Sequence, residues 1–246
     1  MLVSTPAIIL RTFPYADTSR VVRLATEDLG VQSVIAKGAM RPRSPFGGRL
    51  QMLSEGVAHF YHRPHRDLHT LRGFDVVDQH ASLASDVRRF ASAAALAEIV
   101  LRAAQEEPQP LVYQTLAEGV HAIATCDMER VPYVALARLW HVIAVLGFEP
   151  TTNACVRCGK PLGKTASFSV ADGGLLCPTC GRGSGPGGLG VDDQTALRHF
   201  LAGSAEVPAL PALHLAAHRR LLTRFARGHV AEDRELPALD FWERMA

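Results

Sequence analysis

Over the first 80 residues, apolar positions come in short runs or alternate with polar ones. Ala7-Ile8-Ile9-Leu10, Val21-Val22-Arg23-Leu24, Val31-Gln32-Ser33-Val34-Ile35, Val57-Ala58-His59-Phe60-Tyr61 and the stretch from Leu68 to Val77 each read as a strand. Asp17, Asp28-Leu29-Gly30, Pro42 to Gly48 and Arg63-Pro64 supply the turns between them. Five strands in so short a span suit a small closed barrel. A roll or barrel of another kind fits the same pattern.

The period changes at Ala81. Leu83, Val87, Phe90, Ala94, Ala97 and Leu101 recur at spacings of three and four, which predicts one helix with these side chains on a common face. Pro108 and Pro110 break the chain before a second helix carrying Val112, Leu116, Val120 and Ile123. A third begins near Pro132, uses Leu136, Leu139, Trp140 and Ile143, and stops at Gly147. Acidic residues of these helices are expected on solvated faces, and Cys126 is expected to be a small buried residue within the helical pattern. Farther on, Asp192 or Asp193 caps a helix with Leu197, Phe200 and Leu201. After Pro211 another helix is expected to turn Leu213, Leu221, Leu222 and Phe225 inward, with Arg220, Arg224 and Arg227 along a different face.

Between these helices the cysteines change the picture. Cys155-x2-Cys158 and Cys177-x2-Cys180 are separated by 18 residues, a spacing that lets two knuckles surround one tetrahedral Zn²⁺. Unpaired or disulfide-bonded cysteines are the alternative. Gly159 and Gly181 follow the second cysteine of each knuckle and are expected to permit a sharp turn beneath the sulfurs. Ser167-Phe168-Ser169-Val170 and Leu175-Leu176 form a candidate strand pair around Asp172-Gly173-Gly174. Six glycines between Gly181 and Gly190 make the next stretch too flexible to hold shape unaided. Four thiolates leave the site near −2, which Arg157, Lys160, Lys164 and Arg182 are placed to offset.

A chain of 246 residues exceeds the usual single-core size. The reading is an α+β multidomain protein: a five-stranded barrel of the oligonucleotide-binding (OB) type at 1–80, a helical domain at 81–149 and 191–246, and a four-cysteine zinc knuckle inserted at 150–190. No run reaches the ~18 uninterrupted apolar residues of a membrane helix, and no charged segment followed by an apolar run opens the chain. Four of five cysteines in knuckles fit a reducing, cytosolic setting.

The net charge of +2 conceals an asymmetry. Residues 1–80 carry ten Arg or Lys against seven Asp or Glu, and 81–149 carry five against eight. Within the first block Lys37, Arg41, Arg43 and Arg49 occur in a Pro- and Gly-rich loop with no acid among them. Such a loop suits a phosphate backbone, because each neutralised phosphate releases counterion. Arg11, Arg20 and Arg23 extend the patch, and Phe13, Tyr15, Phe46 and Tyr61 are candidate platforms for unpaired bases. A solvated loop with its aromatics in the core is the plainer reading.

Other motifs carry less. His59, His62, His65 and His69 invite a metal, but on a strand His59 and His62 point to opposite faces, so surface histidines are expected. Gly159-Lys160-Pro161-Leu162-Gly163-Lys164-Thr165 has three residues between its glycines where a P-loop needs four. No His-Glu-x-x-His, Gly-x-Ser-x-Gly or deaminase His-x-Glu partner is present. A closed four-cysteine site also leaves no position for an activated water, so catalytic residues are not assigned. A zinc-dependent nuclease or deaminase and an RNA-binding or ribosome-associated barrel protein are the competing classes.

Tyr15-Ala16-Asp17-Thr18-Ser19, Thr26-Glu27-Asp28-Leu29-Gly30 and Ala36-Lys37-Gly38, with Ser44 after the basic turn, resemble the RecO family of recombinational repair proteins. The order of a basic barrel, helices and a four-cysteine knuckle is similar too. The resemblance implies a non-enzymatic protein that binds single- and double-stranded DNA and anneals complementary strands. It further implies work with RecR and the single-strand binding protein to help RecA load, in the cytoplasm at the nucleoid, with no membrane partner. Asp17 stands where the family often has Glu. Glu232-Asp233-Arg234 stands near where members that bind the acidic tail of the single-strand binding protein often show Lys-Ser-Arg, so that partner site is not carried over.

Overall fold

A computed structural model of the chain describes residues 1–182, 188–206, 210–232 and 234–245. Residues 183–187 of the glycine-rich stretch and Asp233 of the Glu232-Asp233-Arg234 segment lie outside the described residues.

Five strands, β1 (Leu2–Tyr15), β2 (Ser19–Thr26), β3 (Gly30–Ala36), β4 (Glu55–Tyr61) and β5 (His69–Asp78), close a barrel in the order β1-β2-β3-β5-β4. β1 is longer than its apolar run because it serves two partners. Leu2 to Ile8 pair with β4, and Ala7 to Tyr15 pair with β2, with an irregularity between Ile9 and Arg11. β3 and β5 meet in a short parallel contact, Val34 opposite His69 and Ile35 opposite Thr70. This is the OB-type closure.

The uninterrupted run Ala7 to Leu10 has a simple cause. Alternate side chains face opposite sides of a strand, and here both sides are covered. Ala7 and Ile9 join the barrel core with Val22, Leu24, Val34, Phe60 and Phe74. Ile8 and Leu10 join the helical core instead.

The helices are α1 (Ala81–Ser85), α2 (Val87–Ala103), α3 (Pro110–Thr125), α4 (Val131–Ile143), α5 (Val191–Leu201), α6 (Ala212–His229) and α7 (Pro237–Met245). The single helix expected from Ala81 is broken. Asp86 is extended at φ −140° and its carboxylate accepts from the N–H groups of Arg88 (2.9 Å) and Arg89 (3.1 Å), capping α2. The restart turns Val87 and Phe90 to solvent, while Ala91 to Ala97 are buried on every side.

α4 has its expected core residues, and Leu136, Leu139, Trp140 and Ile143 are fully buried. The segment Met128–Phe148 is long and apolar enough to cross a membrane by length and composition, with a mean hydropathy of 1.6. Here it is packed inside the protein by α2, α3, α5 and α6. Gly147 ends it at φ 92°.

Several expectations are corrected. Gly190 is the N-cap of α5, and Asp193 reaches back from the first turn to accept its N–H at 3.2 Å. Leu213 is exposed rather than turned inward. Cys126 ends α3 instead of lying within it, half-buried beside the Arg89 guanidinium, and burial pushes its thiol pKa up. Glu98 is not on a solvated face. Its carboxylate accepts the Leu239 N–H at 3.0 Å, near the start of α7, and burial raises its pKa.

Candidate nucleic-acid interface and metal centre

The loop after β3 is a chain of tight turns. N–H groups of Arg41, Ser44, Gly47 and Arg49 each donate at 3.1 Å to the carbonyl three residues earlier, on Gly38, Arg41, Ser44 and Phe46. Gly38 and Gly48 take φ 70° and 71°, and Arg43 takes φ 63°, which a side-chain-bearing residue adopts only when held there. The Met40 N–H donates to Thr18 O at 2.9 Å, tying the loop to the β1–β2 hairpin. Phe46 and Leu50 plug the end of the barrel core. Phe46 is therefore not an exposed platform, which corrects its expected role.

That anchoring presents the cations. Lys37, Arg41, Arg43 and Arg49 are all exposed, and among the described residues none takes part in an ion pair. At the base of the loop Arg20 lines a pocket of about 270 Å³ with Ala39, Phe46, Gly48, Leu50 and Gln51.

Register places the remaining candidates on one side of the sheet. Arg11 lies opposite Arg23, and Arg23 lies opposite Ser33 on β3. The Arg23 Nη1 donates to Ser33 Oγ at 2.8 Å, which fixes the guanidinium across the strands. Phe13 and Tyr15 follow Arg11 on the same face, 41% and 50% exposed. Tyr61 is exposed as well, opposite Leu2 on the other flank of β1. Ser33 carried no signal of its own in the sequence, although strand alternation places it beside Arg23.

The four histidines do not form one cluster, although the His62 and His69 rings pack 4.6 Å apart. His59 bonds Ser4 Oγ at 2.7 Å and Asp75 Oδ2 at 3.0 Å. His69 is buried rather than at the surface, with Nε2 3.0 Å from Gln32 Oε1, and burial first, then His62, lower its pKa.

The cysteines converge. Ligand atoms of Cys155, Cys158, Cys177 and Cys180 all lie within 4.8 Å of one another. An ion about 2.3 Å from four sulfurs in a tetrahedron holds them about 3.8 Å apart, and Cys158 Sγ stands 3.8 Å from Cys177 Sγ. The two knuckles are built alike, with Gly159 N–H donating to Cys155 O and Gly181 N–H to Cys177 O, both at 2.8 Å. Their glycines serve different ends. Gly159 takes φ 69°, whereas a Cβ at Gly181 would meet Ser167 Oγ at 2.9 Å.

Backbone amides that face the sulfurs, chiefly that of Cys177, pull the Cys155 thiol down to about 6, as a metal-binding thiolate requires. Its neighbouring sulfurs push Cys180 up to about 12, since all four cannot ionise together without a cation. Arg157 does not face the cluster freely. It forms a bidentate pair with Asp172, at 3.0 and 2.8 Å, while Lys160, Lys164 and Arg182 are exposed.

The cluster is mounted on a hairpin, β6 (Ser167–Ser169) with β7 (Gly174–Leu176). Phe168 of β6 packs against Trp140 of α4 and Phe225 of α6, and His229 Nε2 lies 2.6 Å from Val170 O. The hairpin that carries the four-cysteine cluster is thus joined to the helical core.

Two family models cover nearly the whole chain: recombination protein O, N terminal, over residues 1–80, and recombination protein O, C terminal, over residues 84–236. The chain belongs to the recombination protein O family. Its relatives include proteins called DNA repair protein RecO. One from an Exiguobacterium species is 34% identical over 180 residues, 72% of this chain and 70% of that protein. One from Salinibacter ruber is 33% identical over 178 residues, 71% of this chain and 66% of that protein. One from Frankia casuarinae is 34% identical over 184 residues, 70% and 71% respectively.

Several of the residues that carry the RecO resemblance are scaffold. Gly30 takes φ 68°, and a Cβ there would overlap the carbonyl oxygens of Gln105 and Glu107, whose loop lies directly upon it. The Val31 N–H donates to Gln105 O at 2.9 Å. Thr26 Oγ1 donates to Gly30 O at 2.8 Å and closes the turn. In this RecO-family chain the second motif joins barrel to helices, while Thr18 and Lys37-Gly38 of the other two shape the basic loop.

Proposed function

We propose that the protein is a non-enzymatic DNA-binding member of the recombination protein O family that binds single and double strands and anneals complementary ones. Lys37, Arg41, Arg43 and Arg49 contact phosphate. Arg11, Arg20 and Arg23 continue the track, and Phe13, Tyr15 and Tyr61 stack on bases that leave the duplex. The carrying observation is the set of four exposed cations without ion-pair partners among the described residues, on a loop fixed by turns to the hairpin that presents the arginines and aromatics. Nonspecific annealing needs this combination: charge to hold two anionic strands, and stacking surfaces that tolerate any base.

In this reading residues 1–80 are the nucleic-acid module, and 81–149 with 191–246 form one helical domain interrupted by the knuckle at 150–190. Zn²⁺ on Cys155, Cys158, Cys177 and Cys180 supplies a fold clip, because four thiolates saturate its tetrahedral coordination. The wider role that fits is recombinational repair with RecR, helping RecA replace the single-strand binding protein on DNA in the cytoplasm.

Fluorescence-detected annealing of complementary strands, with and without a single-strand binding protein, tests the proposal. Annealing should accelerate with protein concentration and weaken in Lys37→Glu/Arg41→Glu. Absence of acceleration, or clear preference for RNA over DNA of one sequence in competition, overturns it.

A further inference from the structure

We propose that Asp78, His80 and His121 form a second divalent-metal site, suited to Zn²⁺, at the junction between the barrel and the helices. A ligand atom from each of the three lies within 4.8 Å of the other two. They come from three elements: Asp78 ends β5, His80 is the N-cap of α1, and His121 lies on α3. None of them belongs to the cysteine cluster or the basic loop.

His80 is the centre of the case. It takes φ 48° and ψ 53°, a left-handed conformation uncommon among side-chain-bearing residues. Its ring is buried, yet Nε2 makes no hydrogen bond. Two carboxylates bracket that ring, with Nδ1 3.3 Å from Asp78 Oδ2 and Nε2 3.6 Å from Glu55 Oε2. Glu55 and Asp78 are partners across β4 and β5, so the barrel itself sets both acids beside the ring. The His80 N–H donates to Asp78 Oδ1 at 2.7 Å, which leaves Oδ2 free to ligate.

The third ligand is held in place from the opposite side. Ser82 Oγ donates to Ala124 O at 2.8 Å, binding α1 to the end of α3, and the His80 and His121 rings stand 6.4 Å apart at 69°. An ion about 2.0–2.2 Å from imidazole nitrogen and carboxylate oxygen brings its donors to about 3.4 Å from one another. Asp78 and His121 are exposed and can close that gap by rotating. With Nδ1 of His80 on the ion, Nε2–H would face the Glu55 carboxylate 3.6 Å away, so a small shift of Glu55 would give the carboxylate partner that orients a ligating histidine.

Two imidazoles and a carboxylate favour zinc and its neighbours over Mg²⁺, which takes oxygen ligands. Three protein ligands leave a coordination position for water or a phosphate oxygen. The ion would join the last barrel strand to α1 and α3, and so set the angle at which the barrel meets the helices.

The test is metal uptake by the full-length protein. Equilibrium dialysis against Zn²⁺ should show wild type binding one equivalent more than His121→Ala and Asp78→Asn, with Mg²⁺ failing to compete. Under Co²⁺ both variants should keep the thiolate charge-transfer band while losing the weaker bands of the second ion. His121 is exposed, so His121→Ala should keep the wild-type melting temperature without added metal. Equal uptake by wild type and His121→Ala overturns the proposal. So does an extra equivalent in wild type that Mg²⁺ displaces.

Discussion

Arg11 and Arg23 stand opposite each other across β1 and β2, and Ser33 holds Arg23 in place from β3. Two guanidinium groups on neighbouring strands repel one another less when an anion lies between or above them, which is why the proposed DNA track includes this face. Arg11→Ala and Arg23→Ala should each lower the salt slope of single-strand binding by about 0.7, the value of one phosphate contact. Ser33→Ala keeps the charge and loosens its aim, so it should weaken binding less than Arg23→Ala. Fluorescence anisotropy across a salt series checks all three.

Phe13 and Tyr15 predict a different signature. A stacked base contributes roughly 1–3 kcal/mol and releases no counterion. Phe13→Ala and Tyr15→Ala should therefore weaken single-strand binding while leaving the salt slope unchanged, with a smaller effect on duplex DNA. Equal losses on both forms would show that these rings serve the barrel rather than bases.

The knuckle should behave as a clip. Cys155→Ser and Cys177→Ser each remove one of four thiolates and should lower the melting temperature by several degrees, as prolonged chelation should in wild type. DNA affinity per folded molecule should stay within about twofold, since the cysteines form a small cluster of their own with Leu176, separate from the barrel core. Differential scanning fluorimetry paired with anisotropy separates the two effects. A folded variant that loses DNA selectively would move the knuckle into the interface.

A pH dependence follows from His218. Burial lowers its pKa below 6.5, against the opposing pull of Asp193, whose Oδ1 lies 3.2 Å from His218 Nε2. The folded protein prefers the neutral ring, so as pH falls the unfolded chain takes up a proton first. Its contribution to stability is fully present above 6.5 and is lost as pH falls through that value toward the lower folded one. Melting temperature should drop between about pH 7.5 and about pH 5.5, and His218→Gln should reduce that drop by a few degrees. His69, also lowered by burial, adds to the wild-type loss with the same sign.

Much of this architecture was legible in advance because its physics is local. Strand alternation, the apolar stripes of α3 and α4, and the cysteine spacing each depend on residues close in sequence. Sequence pattern and structure part where distant contacts decide. Phe46 looks like a loop aromatic until the barrel is closed, when it becomes the plug. Val87 and Phe90 fit a helical period that Asp86 interrupts. Glu98 reads as a surface acid, yet it receives the Leu239 N–H from across the chain. The cluster of Asp78, His80 and His121 has no motif spacing, since α3 brings its third member from 41 residues beyond His80. The cations were visible as composition, but the turn network that fixes their loop to Thr18 was not.

The loop carries the central claim, and the salt dependence of DNA binding by Lys37→Ala/Arg41→Ala tests it most directly. Two lost phosphate contacts should reduce the magnitude of the slope by about 1.8 on duplex DNA and about 1.4 on single strands. Affinity should fall uniformly across sequences, with the melting temperature unchanged. Wild-type affinity and slope at matched salt would contradict the account and remove this loop from the DNA interface.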